Sequence, residues 1–152
     1  VQPATLVRNC SYVEFTASDA TSQIPVWFVS HWWGEKFTRF LDCLGLFSSR
    51  HDLSNDVPFW ICAYAIRQNM LSTRGSEIGL GDPLEEPFAK AIKSDQVHGT
   101  VAILDENLVT YKRAWCCFEA TITVSLPKRL DLVISRPSGT FMIADGQSVP
   151  KG

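Results

Sequence analysis

Apolar segments of strand length alternate with helical patterns along this chain, and this alternation restricts the possible folds more than any other feature. Four such segments lie at residues 26–30, 59–65, 100–104 and 130–134, and residues 140–144 form a candidate fifth strand at the edge. Continuous apolar strands are typical of a sheet covered by helices on both faces. The sequence therefore predicts an α/β fold with a parallel sheet of about five strands and helices on both faces, in which residues 59–65 are central.

Three helices are predicted between these strands. The first has apolar residues at the spacing of one helical face, namely Phe37, Phe40, Leu41, Leu44 and Phe47. The second is expected to begin with Asp82 as its N-cap and to run to about Lys93. The third covers residues 111–125 and ends before Pro127. Its buried stripe is expected to comprise Trp115, Phe118, Ile122 and Leu126.

Length and composition limit the class of protein. The 152 residues match one domain, which we assign to residues 25–152, and residues 1–24 form an N-terminal extension without a recognisable period. A formal net charge of −2 gives no global signature of nucleic-acid binding. No apolar run approaches the roughly 18 to 20 residues that span a bilayer, so no membrane contact is expected. Five cysteines without a Cys-x-x-Cys pair favour a cytoplasmic protein that binds no metal.

Three blocks of the sequence resemble the motifs of one known family, in the same order and spacing. Residues 26–35 (VWFVSHWWGE) resemble its opening strand and loop, and residues 74–78 (RGSEI) with 88–92 (FAKAI) resemble the loop and helix after its second strand. Residues 114–119 (AWCCFE) resemble its Ser-x-Trp-Cys-x-x-Glu motif. Over residues 26–134 the chain is therefore similar to TIR (Toll/interleukin-receptor) domains.

The TIR resemblance implies a flavodoxin-like fold and assigns a role to Glu119. Some TIR domains only assemble with one another, whereas others hydrolyse or cyclise NAD with the glutamate of the third motif. Cleavage between nicotinamide and ribose develops oxocarbenium character on the ribose, and a carboxylate held nearby stabilises that charge. Since nicotinamide leaves from a cationic ring, one carboxylate suffices. The alternative interpretation of Glu119 is a surface ion pair with Lys112 or Arg113.

Candidate substrate-binding residues follow the first strand, at the end where open α/β sheets bind ligands. Trp32 and Trp33 offer aromatic faces to nicotinamide or adenine, or else cover the sheet edge. Gly34 allows the backbone to approach a ligand closely. His31 is a candidate proton relay that titrates near neutrality, or a residue bonded to the backbone.

The remaining candidates lie in the other two blocks. Trp115 belongs to the third motif. Arg74 is a candidate phosphate ligand, or a solvated side chain, in the glycine-rich segment 68–81. That segment is expected to be a mobile loop that a ligand or a second copy orders. Cys116 and Cys117 suggest a thiolate nucleophile, but no histidine lies in the same motif.

The leading functional hypothesis is therefore a TIR-type NAD glycohydrolase or cyclase, for which NAD is a substrate and no cofactor is implied. The resemblance also implies self-association with other TIR-like domains. One alternative is a signalling module that acts by homotypic assembly without chemistry. Another is a nucleoside-processing α/β transferase that uses a similar carboxylate.

Overall fold

Strands and helices alternate through most of the chain. The computed structural model of the protein describes residues 1–19, 21–70 and 82–144. The strands are β1 (Trp27–Ser30), β2 (Phe59–Ile61), β3 (Gly99–Asp105), β4 (Arg129–Arg136) and β5 (Gly139–Ala144). The helices are α1 (Gln2–Thr5), α2 (Tyr12–Thr16), α3 (Phe37–Arg50), α4 (Cys62–Ala65), α5 (Pro87–Lys93) and α6 (Ala114–Ser125). In these ranges no helix is both long enough and apolar enough to cross a membrane.

Within the described residues the strands form one five-stranded sheet in the order β2-β1-β3-β4-β5. Strands β1 to β4 are parallel, and the order is that of flavodoxin-like sheets. The predicted α/β fold is thus confirmed. The predicted edge strand is also present, but β5 runs antiparallel to β4. Only residues 137 and 138 separate the two strands, and a connection this short joins antiparallel neighbours only.

Helices cover both faces of the sheet, as predicted. Alternate residues of a strand point to opposite faces. Trp27 and Val29 of β1 therefore pack with α3, whereas Phe28 packs with α5 and α6. The α3 helix contributes Phe40, Cys43 and Phe47 to the first core. The second core takes Phe88, Ala89 and Ile92 from α5 and Ile122 from α6. Together the two cores fix α3 and α6 on either side of β1.

The second strand differs from its prediction. β2 ends at Ile61, residues 62–65 form α4, and β2 lies at the edge of the sheet, so the prediction of a central strand over 59–65 was wrong. The apolar residues of α4 are covered by a helix of the N-terminal segment instead of by a strand. The ring of Tyr64 contacts the ring of Tyr12 in α2, with centroids 5.7 Å apart. Periodicity alone does not reveal such a partner.

The predicted helical faces also need correction. In α3, Phe37 is 59% exposed and Leu41 is 48% exposed, whereas Cys43 is buried. The reason is geometric, because Leu41 lies about 100° around the helix from the buried Phe40. Asp82 does accept a hydrogen bond from the Leu84 amide, but it caps a 3₁₀ turn at Pro83–Glu85, and α5 begins only at Pro87. Residues 109–112 likewise form a 3₁₀ turn before α6.

The N-terminal segment, residues 1–24, contacts the sheet domain through the chain that follows α4. Arg67 donates to both carboxylate oxygens of Glu14, from Nε at 3.2 Å and from Nη2 at 2.7 Å. Asn69 Nδ2 donates to the buried Thr5 hydroxyl over 3.1 Å. Helices α1 and α2 are therefore attached to residues 67–69, close to the carboxyl end of β2.

Candidate active site

Glu119 lies in the second turn of α6, against the carboxyl end of β1. Its side chain is only 8% exposed, and the Ser30 hydroxyl donates to Oε2 over 2.5 Å. Ser30 is the last residue of β1 and is itself buried. Among the described residues neither Lys112 nor Arg113 forms an ion pair with Glu119. The alternative of a solvated surface ion pair was therefore wrong.

The protonation of Glu119 is strongly influenced by this environment. Burial is the largest effect and raises the pKa of Glu119 to about 7, against the opposing effects of the Ser30 hydrogen bond and the positive charge of Arg113. A buried carboxyl resists ionisation because the charged form loses its hydration. Near neutral pH the side chain therefore exists in both the protonated and the ionised form. Perturbed carboxyls of this kind cluster at functional sites.

A cavity of about 190 Å³ opens beside this carboxyl, and we call it the Glu119 cavity. It forms where the chain after β1, α4, α5 and the start of α6 meet, at the carboxyl end of the parallel strands. Its lining consists of Val29, His31, Trp33, Cys62, Phe88, Arg113, Trp115, Cys116 and Glu119. A mostly apolar wall with a few convergent ionisable groups is typical of small-molecule sites.

Three of the predicted site residues share this cavity with Glu119, two do not, and one lies outside the described residues. His31, Trp33 and Trp115 line it. Trp32 and Gly34 face a different depression at the ends of β1 and β3. Arg74, like most of the predicted loop at 68–81, lies outside the described residues. Residues 68–70 at the start of that segment form a 3₁₀ turn.

Gly34 has a structural reason to be glycine. A Cβ atom at this position would overlap the indole of Trp32. The space that a side chain would need is therefore filled by Trp32, which accounts for glycine at this position, and the close approach of a ligand to Gly34 stays a prediction.

His31 remains in the cavity wall, but it does not titrate near neutrality. Burial is the main cause that lowers the pKa of His31 to about 4, and the charge of Arg113 acts in the same direction. The imidazole is therefore neutral at pH 7, and the prediction of a proton relay that titrates there was wrong. A neutral imidazole can still donate or accept a hydrogen bond. Its ring packs on Phe40, with centroids 4.9 Å apart.

Trp115 is a wall residue and not a core residue. It is 36% exposed, so its prediction as the start of the buried stripe was wrong. It packs edge to face with Phe88, at 4.9 Å between centroids, and with Phe118 at 6.2 Å. The α6 positions that are buried are Cys116, Glu119, Ile122 and Thr123. The predicted stripe included Ile122 but missed the other three, because they are a cysteine, a glutamate and a threonine.

Cysteine chemistry is disfavoured at this site. Burial raises the pKa of the Cys116 thiol to about 11 and that of Cys62 to about 12, so both remain protonated thiols at neutral pH. Cys117 is exposed, and its thiol donates to the Tyr111 carbonyl over 3.1 Å. Neither Cys62 nor Cys116 therefore offers an activated thiolate to the Glu119 cavity.

Sequence reasoning missed five residues of the site, namely Val29, Ser30, Cys62, Phe88 and Arg113. Ser30 belongs to the first sequence block, where it has the appearance of an ordinary strand residue. Its position at the carboxyl end of a buried strand was the available signal, because ligands bind at that edge. Cys62 and Phe88 reach the site only through the chain topology, and no local pattern marks them.

Comparison of the chain with protein families, with curated proteins and with solved structures finds no match. Within the ranges that the structure describes, no group of three or more His, Cys, Asp or Glu side chains is arranged to hold a metal ion.

Proposed function

We propose that this protein is a TIR-type NAD glycohydrolase or cyclase in which Glu119 is the catalytic carboxylate. The observation that carries the proposal is the buried Glu119, held by Ser30 at the wall of a small cavity at the carboxyl end of the sheet. A buried carboxyl destabilises the fold when it ionises. A catalytic role would explain why a carboxyl nevertheless lies beside this cavity.

The proposed reaction needs one ionised carboxylate near the ribose. The bond between C1′ of the ribose and the nicotinamide nitrogen breaks, and its electron pair leaves with the ring as neutral nicotinamide. Glu119 in its ionised form stabilises the positive charge that develops on the ribose. Water then attacks C1′ and releases a proton, or a nitrogen of the adenine attacks and gives a cyclic product.

The cavity wall suits this chemistry in two further ways. Trp33 and Trp115 are partly exposed rings that are available to stack on a planar nicotinamide. The guanidinium of Arg113 lies close enough to lower the pKa of Glu119 and so favours the ionised form that the reaction uses. It also offers donors for a phosphate or a ribose hydroxyl.

The direct test is incubation of concentrated protein with NAD, followed by chromatography for nicotinamide. Glu119→Gln should lower nicotinamide release by at least roughly a hundredfold, the order expected when a preorganised charge is removed. Glu106→Gln is the matched control, because it makes the same substitution at an exposed position after β3, and it should leave turnover unchanged. Equal turnover in wild type and Glu119→Gln would contradict the assignment.

Protein concentration is a necessary variable in this test, because the TIR resemblance implies self-association. The assay is run over a range of concentrations while the oligomeric state is followed by light scattering. Assembly without any release of nicotinamide would favour the alternative of a non-catalytic assembly module. Release of a base from simple nucleosides but not from NAD would favour the nucleoside-processing transferase.

A further inference from the structure

Arg113 is an unpaired cation in the wall of the Glu119 cavity. Of the described residues that line this cavity, it is the only one that stays charged throughout the physiological pH range. Within the described part of the chain its side chain has neither a hydrogen bond nor an ion pair. The N–H donors of the guanidinium are therefore available to a ligand that enters the cavity.

The two charged groups of the cavity differ in depth. Glu119 is buried, whereas Arg113 is half-buried and lies six positions earlier, at the N-cap of α6. The first turn of α6 contains no acidic residue, and no side chain caps it. Its free amides therefore add to the positive potential of the guanidinium. The cavity thus favours positive charge at its buried carboxyl and negative charge nearer to solvent, at Arg113.

The size of the cavity limits how much of a substrate it can enclose. Pockets for drug-sized ligands span about 300 to 1,000 Å³, and the Glu119 cavity has a volume of about 190 Å³. It is therefore too small for a whole dinucleotide but suits one ring with its ribose. In a nicotinamide nucleotide the cationic ring is attached to C1′ of the ribose, and the phosphate is attached to C5′ on the other side of the sugar.

The order of groups in the cavity matches the order of groups in such a nucleotide. Trp33 and Trp115 offer aromatic faces to the ring, Glu119 faces the cation that forms at C1′, and Arg113 offers donors to a phosphate. A guanidinium and a phosphate can form two parallel hydrogen bonds, which are stronger than bonds between neutral groups. Every group of the mononucleotide therefore has a counterpart in this one cavity.

We propose that the Glu119 cavity recognises a nicotinamide mononucleotide unit through Arg113 at the 5′-phosphate, and that the free mononucleotide is therefore a second substrate. The inference rests on the proposed function for the bond that breaks. The electron pair of the bond between C1′ and the ring nitrogen leaves with nicotinamide. Water adds its oxygen to C1′ and releases a proton. The products are nicotinamide and ribose 5-phosphate.

This assignment also agrees with both reactions proposed for NAD. The second phosphate and the adenosine of NAD lie outside the Glu119 cavity, so the adenine remains free to approach C1′ when a cyclic product forms. The mononucleotide has no adenine and can only be hydrolysed. Arg113 then determines specificity, because a nucleoside without a phosphate leaves its guanidinium without a partner.

The test compares nicotinamide release from the mononucleotide and from nicotinamide riboside, which lacks the phosphate. The full chain is assayed by chromatography at about pH 8.5, above the pKa of Glu119, so that the carboxylate is ionised. Wild type should have a kcat/KM at least about tenfold higher for the mononucleotide, the order expected for a hydrogen bond between charged groups. NAD is assayed in parallel.

Arg113→Ser places a neutral residue at the position where the Ser-x-Trp-Cys-x-x-Glu motif has its serine. It should lower kcat/KM for the mononucleotide about tenfold, mainly through KM, and leave kcat/KM for the riboside nearly unchanged. Arg113→Lys keeps the charge and should retain part of the preference. Lys112→Ser is the matched control, because it removes the adjacent exposed cation, which is not in the cavity lining. It should leave both rates unchanged.

The outcomes separate this inference from the proposed function. Release of nicotinamide from NAD but not from the mononucleotide would overturn the inference and leave the proposed function intact. An equal decrease for the mononucleotide and the riboside in Arg113→Ser would show that Arg113 does not bind the phosphate. An unchanged riboside rate in the same variant shows that its fold and its carboxylate are intact. If none of the three substrates releases nicotinamide, the proposed function itself fails.

Discussion

The buried carboxyl of Glu119 should make the folded protein less stable as pH rises, and Glu119→Gln should remove this effect. The pKa of Glu119 is about 7 in the folded protein, compared with an ordinary value of 4.5. A group whose pKa is raised on folding contributes stability below its unfolded pKa, and this contribution is lost as pH rises through the folded pKa. The full difference corresponds to about 3 kcal/mol in the free energy of unfolding.

Between about pH 5 and pH 8, the coupling of proton binding to folding should lower the free energy of unfolding by roughly 2 to 3 kcal/mol. For a domain of this length it corresponds to a change of about 5 to 10 °C in melting temperature. Glutamine has nearly the same shape, retains an oxygen that accepts from Ser30 and does not ionise. The variant should therefore gain stability relative to wild type as pH increases.

The assay is thermal unfolding followed by circular dichroism at several pH values, with wild type, Glu119→Gln and Glu106→Gln in the same buffers. The difference in melting temperature between Glu119→Gln and wild type should widen steadily from acid to alkaline pH. Glu106→Gln should follow wild type, because that side chain is exposed. If the melting temperatures of Glu119→Gln and wild type instead differ by the same amount at every pH, Glu119 ionises without any loss of folding stability. That result would refute the claim that burial raises the pKa of Glu119.

Two further predictions concern the neighbours of Glu119. Ser30→Ala removes the hydrogen-bond donor that favours the ionised form of Glu119. The rate of NAD cleavage should therefore begin to rise at a pH about one unit higher than in wild type. Ser30→Thr keeps the hydroxyl and should have the same pH-rate profile as wild type. An unchanged profile in Ser30→Ala would show that Ser30 does not position Glu119. Trp115→Ala should raise KM for NAD but lower stability in urea by only about 1 to 2 kcal/mol, because the ring is partly exposed. A decrease of about 3 kcal/mol or more in the free energy of unfolding would show that Trp115 is a core residue after all.

The central part of the fold was predictable because its strands are buried on both faces. Residues 26–30, 100–104 and 130–134 are largely apolar runs, and each contains or overlaps a strand of the observed sheet. The direction of β5 was not predicted, since it depends on the length of one turn and not on apolar pattern. The position of β2 also escaped prediction, because the N-terminal helices cover the apolar residues after it.

The site was predictable only where a local motif carried it. Glu119 and Trp115 belong to one motif of six residues, and both line the same cavity. Ser30 lies 89 residues away in sequence, and the hydrogen bond that joins it to Glu119 exists only because α6 packs beside β1. The pKa of His31 was likewise not readable from sequence, since it depends on how deeply the folded chain buries the ring.

Among the buried residues of α6, Glu119 is the one whose presence is hardest to explain by folding stability alone. Two other buried positions of the helix have a clear structural role. Ile122 packs in the core with Phe28, and Thr123 donates to the Glu119 carbonyl and pairs with the Thr100 hydroxyl at 2.6 Å. A neutral residue at position 119 would occupy the same place without an ionisation penalty. Natural proteins accept such local instability chiefly where activity depends on it. The same burial that weakens the fold at alkaline pH also removes water from around the carboxylate, so its charge acts more strongly on a cation formed beside it.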